Sequence, residues 1–239
     1  MNAELTHGSN RLLTVKDVSL KFGGVHALTG VSFDVFAHEV CSIIGPNGAG
    51  KSSMLNVLNG VYRPQEGTIS LNGVEKRRWS PQEVAKEGIA RTFQNIALFK
   101  GMTVLDNIQT GRCLMNKASV LSQAFRLAKS RREDDESREK AEELLEFLEI
   151  QAIRKTSVGQ LSYGLQKRVE LGRALAAEPK CLLLDEPMAG MSPDEKQDMT
   201  RFILQAKEAY GMTVVLIEHD LGVVMDISDH VIVLDYGIK

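Results

Sequence analysis

Four short, almost wholly apolar runs constrain the fold of this chain more than any other feature. They occupy residues 40–44, 181–184, 213–217 and 231–234. Short runs without alternation are typical of strands that are buried on both faces of a parallel sheet. Helical segments alternate with these runs along the chain, so the pattern predicts an α/β fold with a parallel sheet as its main body.

The N-terminal region has a different pattern. Residues 1–10 are polar and predict a mobile tail. In residues 18–22 and 31–35, apolar and polar side chains alternate with the period of a half-buried strand. Such alternation is typical of antiparallel strands with one solvated face, so we expect an antiparallel β subdomain ahead of the parallel sheet.

Two helix starts can be identified from their first four residues. Ser80 and Ser192 are each followed by a proline and, three residues on, by a glutamate. An N-cap hydroxyl, a proline at the first helical position and a glutamate at the third predict a capped helix at both places.

Strand signals vanish between about residues 103 and 160. Residues 131–143 are almost continuously charged, and residues 141–148 carry apolar side chains at helical spacing. We interpret the charge run as the solvated face of an inserted helical subdomain rather than as a dedicated docking site. The expected organisation is a single domain over residues 11–239, with residues 103–160 as the helical subdomain and residues 11–102 and 161–239 as the core and β subdomain.

Composition argues against several classes of protein. The net charge of −2 over 239 residues does not suit a nucleic-acid-binding protein that relies on a broad cationic surface. No apolar run reaches 18 residues, so we expect no membrane-spanning helix. Cys41, Cys113 and Cys181 are far apart. Because Cys41 and Cys181 lie in apolar runs, we expect buried free thiols and a reducing, cytosolic compartment.

A glycine-rich motif follows the first apolar run. Residues 45–52 fit the P-loop pattern G-x-x-x-x-G-K-[ST], with a predicted strand before them and a predicted helix after them. Glycines let the backbone turn its N–H groups inward around phosphate oxygens at a helix N-terminus. Lys51 is expected to reach the β- and γ-phosphates and Ser52 to ligate Mg²⁺. The candidate nucleotide-binding residues are Gly45, Pro46, Asn47, Gly48, Ala49, Gly50, Lys51, Ser52 and Ser53.

Two carboxylates follow the second apolar run. Asp185 ends the run and Glu186 comes next, at the carboxyl end of a predicted strand, where α/β folds place their ligands. Asp185 is the candidate Mg²⁺ ligand. Glu186 is the candidate general base that deprotonates a water attacking the γ-phosphate.

Residues 161–166, Leu-Ser-Tyr-Gly-Leu-Gln, narrow the class of P-loop protein. They resemble the signature of ABC ATPases, which usually reads Leu-Ser-Gly-Gly-Gln. The resemblance covers roughly residues 12–239 and implies a RecA-like P-loop NTPase core that hydrolyses ATP with Mg²⁺. It also implies a head-to-tail dimer in which Ser162, Gly164 and Gln166 contact, in trans, the nucleotide of the partner subunit. Ser162 is also a predicted helix N-cap, whose neighbouring N–H groups form a second anion site.

The sequence departs from the family pattern at three positions, two in the signature segment and one in the loop over residues 189–192. Tyr163 replaces the first signature glycine, and Leu165 replaces the glutamine, which follows one place later. Ser192 stands where the family usually has an aspartate, so its role between subunits is in doubt and we expect it to act mainly as an N-cap.

Three further positions match the family by their place in the pattern. Gln94, after a predicted strand over residues 89–93, resembles the Q-loop glutamine that senses Mg²⁺ and the attacking water. His219 lies at the carboxyl end of the predicted strand over residues 213–218 and resembles the switch histidine that contacts the γ-phosphate. Phe22 lies where the family places an aromatic ring under adenine, although a strand position is also compatible with a core residue.

Finer features resemble one branch of the family. Residues 89–95, Tyr163 and residues 217–220 together look like ATPases of branched-chain amino-acid importers, a style that urea and amide importers share. The implied partners are transmembrane permease subunits, a second ATPase subunit (identical or different) and, indirectly, a solute-binding protein, with no nucleic acid. The implied location is cytoplasmic and peripheral, on the inner face of the cell membrane.

Other interpretations stay open at this point. A soluble ABC ATPase acting on DNA or ribosomes would be expected to have two cassettes or a long coiled-coil insertion, and neither is present. A GTPase is disfavoured because residues 116–119 lack the aspartate of the guanine-reading motif. The apolar residues Leu98, Phe99 and Met102 suit either packing under the helical subdomain or docking of a permease helix. The family continues beyond the final hairpin, and the end at Lys239 fits a truncated or a naturally short chain.

Overall fold

Two β-sheets contain the strands of the computed structural model, which describes residues 10–92, 96–114 and 128–239. The strands are β1 Arg11–Phe22, β2 Val25–Phe36, β3 Val40–Ile44, β4 Glu66–Leu71, β5 Val74–Lys76, β6 Ile89–Arg91, β7 Cys181–Asp185, β8 Thr213–Ile217 and β9 His230–Val233. The first sheet has the order β2-β1-β4-β5 and the second the order β6-β7-β8-β3-β9. The expected antiparallel and parallel sheets are therefore both present.

The parallel sheet is buried on both faces. Every residue of β7 and β8 is buried. Leu182 and Leu184 of β7 belong to one apolar core, whereas Cys181 and Leu183 belong to the other. This two-sided burial explains why the four runs lack polar alternation. The carboxyl ends of these strands form one edge of the sheet, and the loops that follow them meet there.

The antiparallel sheet covers one of these two cores. β1 pairs antiparallel with both β2 and β4, and its residues Leu13, Val15 and Val18 are almost completely buried. The alternation is imperfect, because Ser19 is also buried. Its hydroxyl accepts a hydrogen bond from the Gly30 N–H at 3.0 Å, which satisfies the polar group inside the sheet.

Seven α-helices lie in the described residues. They are α1 Lys51–Leu58, α2 Pro81–Lys86, α3 Val104–Thr110, α4 Ala128–Phe147, α5 Tyr163–Leu175, α6 Pro193–Tyr210 and α7 Leu221–Ile227, with short 3-10 turns at Gly111–Leu114, Gln151–Ile153 and Val158–Gln160. In the described part of the chain, no helix has the length and apolarity needed to cross a membrane.

The described residues between 103 and 160 contain helices and turns and no strand, apart from an isolated bridge between Thr103 and Ser157. The apolar residues Leu144 and Leu145 of this region share a core cluster with Leu182 of the parallel sheet. The side chains of residues 134–136 are exposed, as expected for the solvated face of a charged helix. The division into subdomains stays a prediction, and residues 1–9 of the expected mobile tail lie outside the described residues.

The prediction that Cys41 and Cys181 are buried free thiols is confirmed. Cys41 and Cys181 are buried and, like the exposed Cys113, are free thiols. Burial raises the pKa of Cys181 to about 12, and burial followed by the charge of Glu39 also raises the pKa of Cys41. Both buried cysteines are therefore protonated at neutral pH and act as small apolar side chains.

Both predicted capping boxes are present. The Ser192 hydroxyl accepts from the Glu195 N–H at 3.3 Å, and the Glu195 carboxylate accepts from the Ser192 N–H at 2.9 Å. Ser80 and Glu83 make the same pair of bonds at the start of α2. These bonds satisfy N–H groups that the first turn of a helix leaves without partners.

Replacing Ser192 by alanine should lower the free energy of unfolding by about 1 kcal/mol, because α6 loses the acceptor for the Glu195 N–H. Ser192→Asp keeps an acceptor at the N-cap and is the matched control. We expect urea denaturation to place the aspartate variant near the wild type. Equal stability of the alanine and aspartate variants would show that this cap does not stabilise the domain.

Candidate active site

The P-loop forms a backbone cradle at the carboxyl end of β3. Gly45, Gly48 and Gly50 have φ angles of 148°, 83° and 97°, values that favour glycine. A Cβ on Gly45 would lie 2.0 Å from the Leu234 carbonyl oxygen, and one on Gly50 would lie 2.5 Å from that of Ala27. Glycine is therefore required at these two positions both for backbone conformation and for space.

Helix α1 begins directly at the cradle. Its N-cap, Gly50, has no side chain to cap the first turn, so the N–H groups there are available to an anion. The Lys51 ammonium donates to the carbonyl oxygens of Gly45 and Pro46 at 2.7 and 2.9 Å. Burial lowers the pKa of Lys51, whereas the nearby Glu186 and Asp185 act to raise it. The lysine thus lies between the loop and the two carboxylates.

Asp185 is a buried carboxylate with two different oxygens. Its Oδ2 pairs with Nη2 of Arg91 at 2.8 Å, and the two side chains are only 2% and 7% exposed. Its Oδ1 is buried and has no hydrogen-bond partner among the described residues. Removing one partner of such a buried pair typically costs about 3–5 kcal/mol. An oxygen that is buried without a donor fits a cation or its bound water.

Glu186 and His219 meet at the same edge of the sheet. His219 Nε2 lies 2.7 Å from Glu186 Oε1, across the ends of β7 and β8. Glu186 has a φ of 49°, which is uncommon for a non-glycine residue, and its N–H donates to the Ile217 carbonyl at 2.9 Å. The two strands therefore hold the carboxylate and the imidazole as a pair.

Glu218 connects the loops that carry this pair. Its carboxylate accepts hydrogen bonds from the Met188 N–H at 3.0 Å and the His219 N–H at 3.2 Å. Burial raises the pKa of Glu218, while these two donors lower it. The side chain is thus a buried acceptor that joins the turn after Glu186 to the start of the loop after β8.

A cleft of about 520 Å³ contains some of these groups, and Asp185, Gly45 and Pro46 are not among the described residues that line it. Loop residues 47–53, Glu186, His219 and the first three residues of β2 line it. Phe22 is not among the described residues that line the cleft. It is 46% exposed and packs edge-on against Tyr62 with ring centroids 5.0 Å apart, so its contact with adenine stays a prediction. Gln94 lies outside the described residues.

The signature segment begins α5. Ser162 is the N-cap and accepts from the Leu165 N–H at 3.4 Å, as expected. Gly164 packs so closely against Glu195 that a Cβ there would lie 2.1 Å from its Oε1. Gln166 donates to the Leu161 carbonyl at 2.9 Å, which gives this side chain a local bond. None of the described residues lining the cleft comes from the signature, so within one chain the signature segment does not contribute to the cleft.

Several site residues were not identified from the sequence. Arg91 contacts Asp185, and Asn56 contacts Arg91. Glu218 contacts His219. From the sequence, Arg91 and Glu218 were recognised only as members of predicted strands and of segments that resemble an importer branch. A usable signal was present for Arg91, which is a cation in a strand beside the strand that ends in Asp185. A buried cation needs a nearby anion, and the second strand supplies one.

The fold and the cleft define a P-loop nucleotide-binding protein. The sequence family described as ABC transporter matches residues 28–189, and the chain belongs to this family. It is 38% identical over 229 residues to the high-affinity branched-chain amino acid transport ATP-binding protein BraF of Pseudomonas aeruginosa, covering 96% of this chain and 90% of BraF. It is 35% identical over 229 residues to the high-affinity branched-chain amino acid transport ATP-binding protein LivG of Escherichia coli K12, again covering 96% of this chain and 90% of the relative.

Solved structures agree with this assignment. A nucleotide-free ATP-binding cassette from an ABC transporter superposes with a TM-score of 0.82 at 36% identity, over 95% of this chain and 89% of the other. A dimeric ATP-binding cassette in a post-hydrolysis state, bound to ADP and Pi, superposes with a TM-score of 0.80 at 27% identity, over 95% of each chain. The fold is therefore that of an ABC ATPase cassette.

The cradle geometry predicts different costs for two glycine substitutions. Both Gly48→Ala and Gly50→Ala place an L-residue at positive φ, but only Gly50→Ala drives a Cβ into a backbone oxygen, since a Cβ on Gly48 has nothing within 4 Å. We expect Gly50→Ala to lose at least about 1 kcal/mol more stability than Gly48→Ala. Urea denaturation without nucleotide measures this difference, and equal losses would contradict the packing described for Gly50.

Proposed function

We propose that this chain is the ATP-hydrolysing subunit of an importer for branched-chain amino acids. The observation that carries the proposal is one cleft that combines a glycine cradle with the Glu186–His219 pair. BraF and LivG, which are similar over nearly the whole chain, support the choice of cargo.

Different residues would carry out different steps of hydrolysis. The loop N–H groups and Lys51 bind and orient the phosphates. Glu186 accepts the proton of the attacking water, and His219 holds the Glu186 carboxylate in place through their 2.7 Å contact. Ser52, Asp185 and Gln94 would hold Mg²⁺, and the orphaned Oδ1 of Asp185 supports this assignment. When bound, Mg²⁺ would neutralise charge on the transferred phosphoryl group.

We further propose that the signature segment acts on a second subunit. Ser162 and Gly164 lie at the N-terminus of a 13-residue helix, which is suited to an anion. The cleft of the same chain contains no signature residue among those described. A head-to-tail dimer would bring this helix end to the partner's nucleotide, and a related cassette is dimeric.

Glu186→Gln tests the proposed hydrolysis. The amide keeps the shape and a contact to His219 but cannot accept the water's proton. We therefore expect ATP turnover to fall by about two to four orders of magnitude while ATP binding stays near normal. Glu146→Gln, which changes an exposed glutamate on α4, is the matched control. Hydrolysis by Glu186→Gln within a few-fold of wild type would remove Glu186 from the role of general base.

The stretch after residue 95 presents an apolar side chain on a fixed backbone. Leu98 is 9% exposed and belongs to the core, whereas Phe99 is 55% exposed. The fully buried Asn107 accepts from the Phe99 N–H at 2.8 Å and donates to its carbonyl at 3.1 Å. Because the backbone of Phe99 is held, its exposed ring is not a product of a loose loop.

We propose that a cytoplasmic helix of the permease docks on Phe99 and the half-exposed Met102. This places the subunit peripherally on the inner face of the membrane, with a solute-binding protein acting on the permease from the other side. An exposed apolar residue such as Phe99, whose backbone is fixed by a buried polar side chain, suits a partner surface.

Phe99→Asp should uncouple the two activities. We expect the ATPase activity of the isolated subunit to stay unchanged, because Phe99 contributes no group to the cleft, while permease-stimulated ATPase and transport fall at least about tenfold. Val74→Asp, at a similarly exposed apolar residue of β5, is the matched control. Unfolding of isolated Phe99→Asp would show that Phe99 is a core residue and would contradict the docking surface.

A further inference from the structure

Arg91 joins three elements, namely β6, β7 and α1. It is the last residue of β6, and its guanidinium pairs with Asp185 at the end of β7 through Nη2 at 2.8 Å. Its Nη1 donates to Oδ1 of Asn56, on α1, at 2.6 Å. The Arg91 side chain is only 7% exposed, so this bridge is part of the interior.

The bridge connects the elements that carry two expected metal ligands. Asn56 lies four residues after Ser52 on α1, and residues at this spacing share a face of a helix. One guanidinium therefore links the helix of Ser52 to the carboxylate of Asp185. A planar guanidinium with fixed donor directions can set the distance between its two partners, which a single ammonium cannot do.

The two oxygens of Asp185 are used unequally. Arg91 holds Oδ2, whereas the buried Oδ1 has no hydrogen-bond partner among the described residues. An anchor at one oxygen restricts rotation of the carboxylate, so it also restricts the direction of the other oxygen. Hydrogen-bonded outer residues that orient metal ligands in this way commonly change metal affinity when they are replaced.

We propose that Arg91 is a positioning residue for the metal of this site, which sets the orientation of Asp185 and its spacing from Ser52. The inference rests on the proposed ATP and Mg²⁺ site. The opposite role would be competition, in which the guanidinium occupies the place of the cation and must leave before the metal binds. The two roles predict opposite changes in metal affinity when Arg91 is replaced. If Arg91 positions the ligands, its loss weakens metal binding, and if it competes with the metal, its loss strengthens metal binding.

Mn²⁺ binding to the full chain, followed by electron paramagnetic resonance with a saturating non-hydrolysable ATP analogue, tests the proposal. Arg91→Gln should weaken Mn²⁺ affinity about tenfold or more. Asn56→Ala leaves the charge pair intact but removes the second anchor, so it should weaken affinity by a smaller factor. Arg112→Gln is the matched control, because Arg112 pairs with Glu178 at 2.7 Å and neither residue lines the cleft.

Binding of the ATP analogue in EDTA separates this inference from the proposed function. If wild type binds the analogue and Arg91→Gln binds it within about twofold of wild type, a selective loss of Mn²⁺ affinity supports positioning. Tighter Mn²⁺ binding, unchanged Mn²⁺ binding, or a parallel loss of analogue binding in Arg91→Gln would overturn it. Failure of wild type to bind the analogue would instead contradict the proposed function.

Arg91→Gln leaves Asp185 without its partner and risks misfolding. In that event Asn56→Ala decides the question, since the Arg91–Asp185 pair remains in this variant. Weaker Mn²⁺ binding with normal analogue binding supports positioning, and wild-type Mn²⁺ binding overturns it.

Discussion

Burial of the parallel sheet on both faces is the constraint on which the rest of the structure depends. Alternate residues of β7 enter two different cores, so no position in the strand can hold a polar side chain exposed to solvent. The two carboxylates and the histidine of the candidate site therefore lie where strands end, whereas a polar residue inside a strand, such as Ser42, is buried and hydrogen-bonded. Because the strands are parallel, their carboxyl ends share one edge, and the cradle, the two carboxylates and the histidine meet there.

This edge concentrates negative charge, and each carboxylate has a different partner. Asp185 pairs with Arg91, Glu186 contacts His219, and Glu218 accepts two backbone N–H groups. Buried carboxylates without such partners would be too costly to keep ionised. The first two arrangements suit the tasks that we propose for them, namely orientation of a metal ligand and activation of a water, and the third attaches one loop to another.

At this edge the backbone of the P-loop adopts positive φ angles that shape the cradle. Gly45 and Gly50 adopt positive φ where neighbouring carbonyl oxygens leave no room for a Cβ. The C-terminal hairpin supports the same loop, since the Gly237 N–H donates to the Ala49 carbonyl at 3.1 Å and its carbonyl accepts from the Thr29 N–H at 2.8 Å. Parts of the chain that are nearly 190 residues apart thus hold the cradle in shape.

The sequence by itself determined the two kinds of sheet, the P-loop, the capped helices and those cleft residues that lie in the P-loop or at strand ends, because periodicity, glycine spacing and N-cap chemistry are local properties. It did not identify the first three residues of β2, which also line the cleft. Only the tertiary structure decided which charges pair, that Leu98 is buried while Phe99 is exposed, and that Arg91 joins Asn56 to Asp185. These features depend on contacts between residues far apart in the chain, such as positions 56, 91 and 185. The physical reason is that the residue pattern of a strand specifies whether the strand is buried but not which strand lies next to it. The neighbouring strand determines which residue can pair with a buried charge.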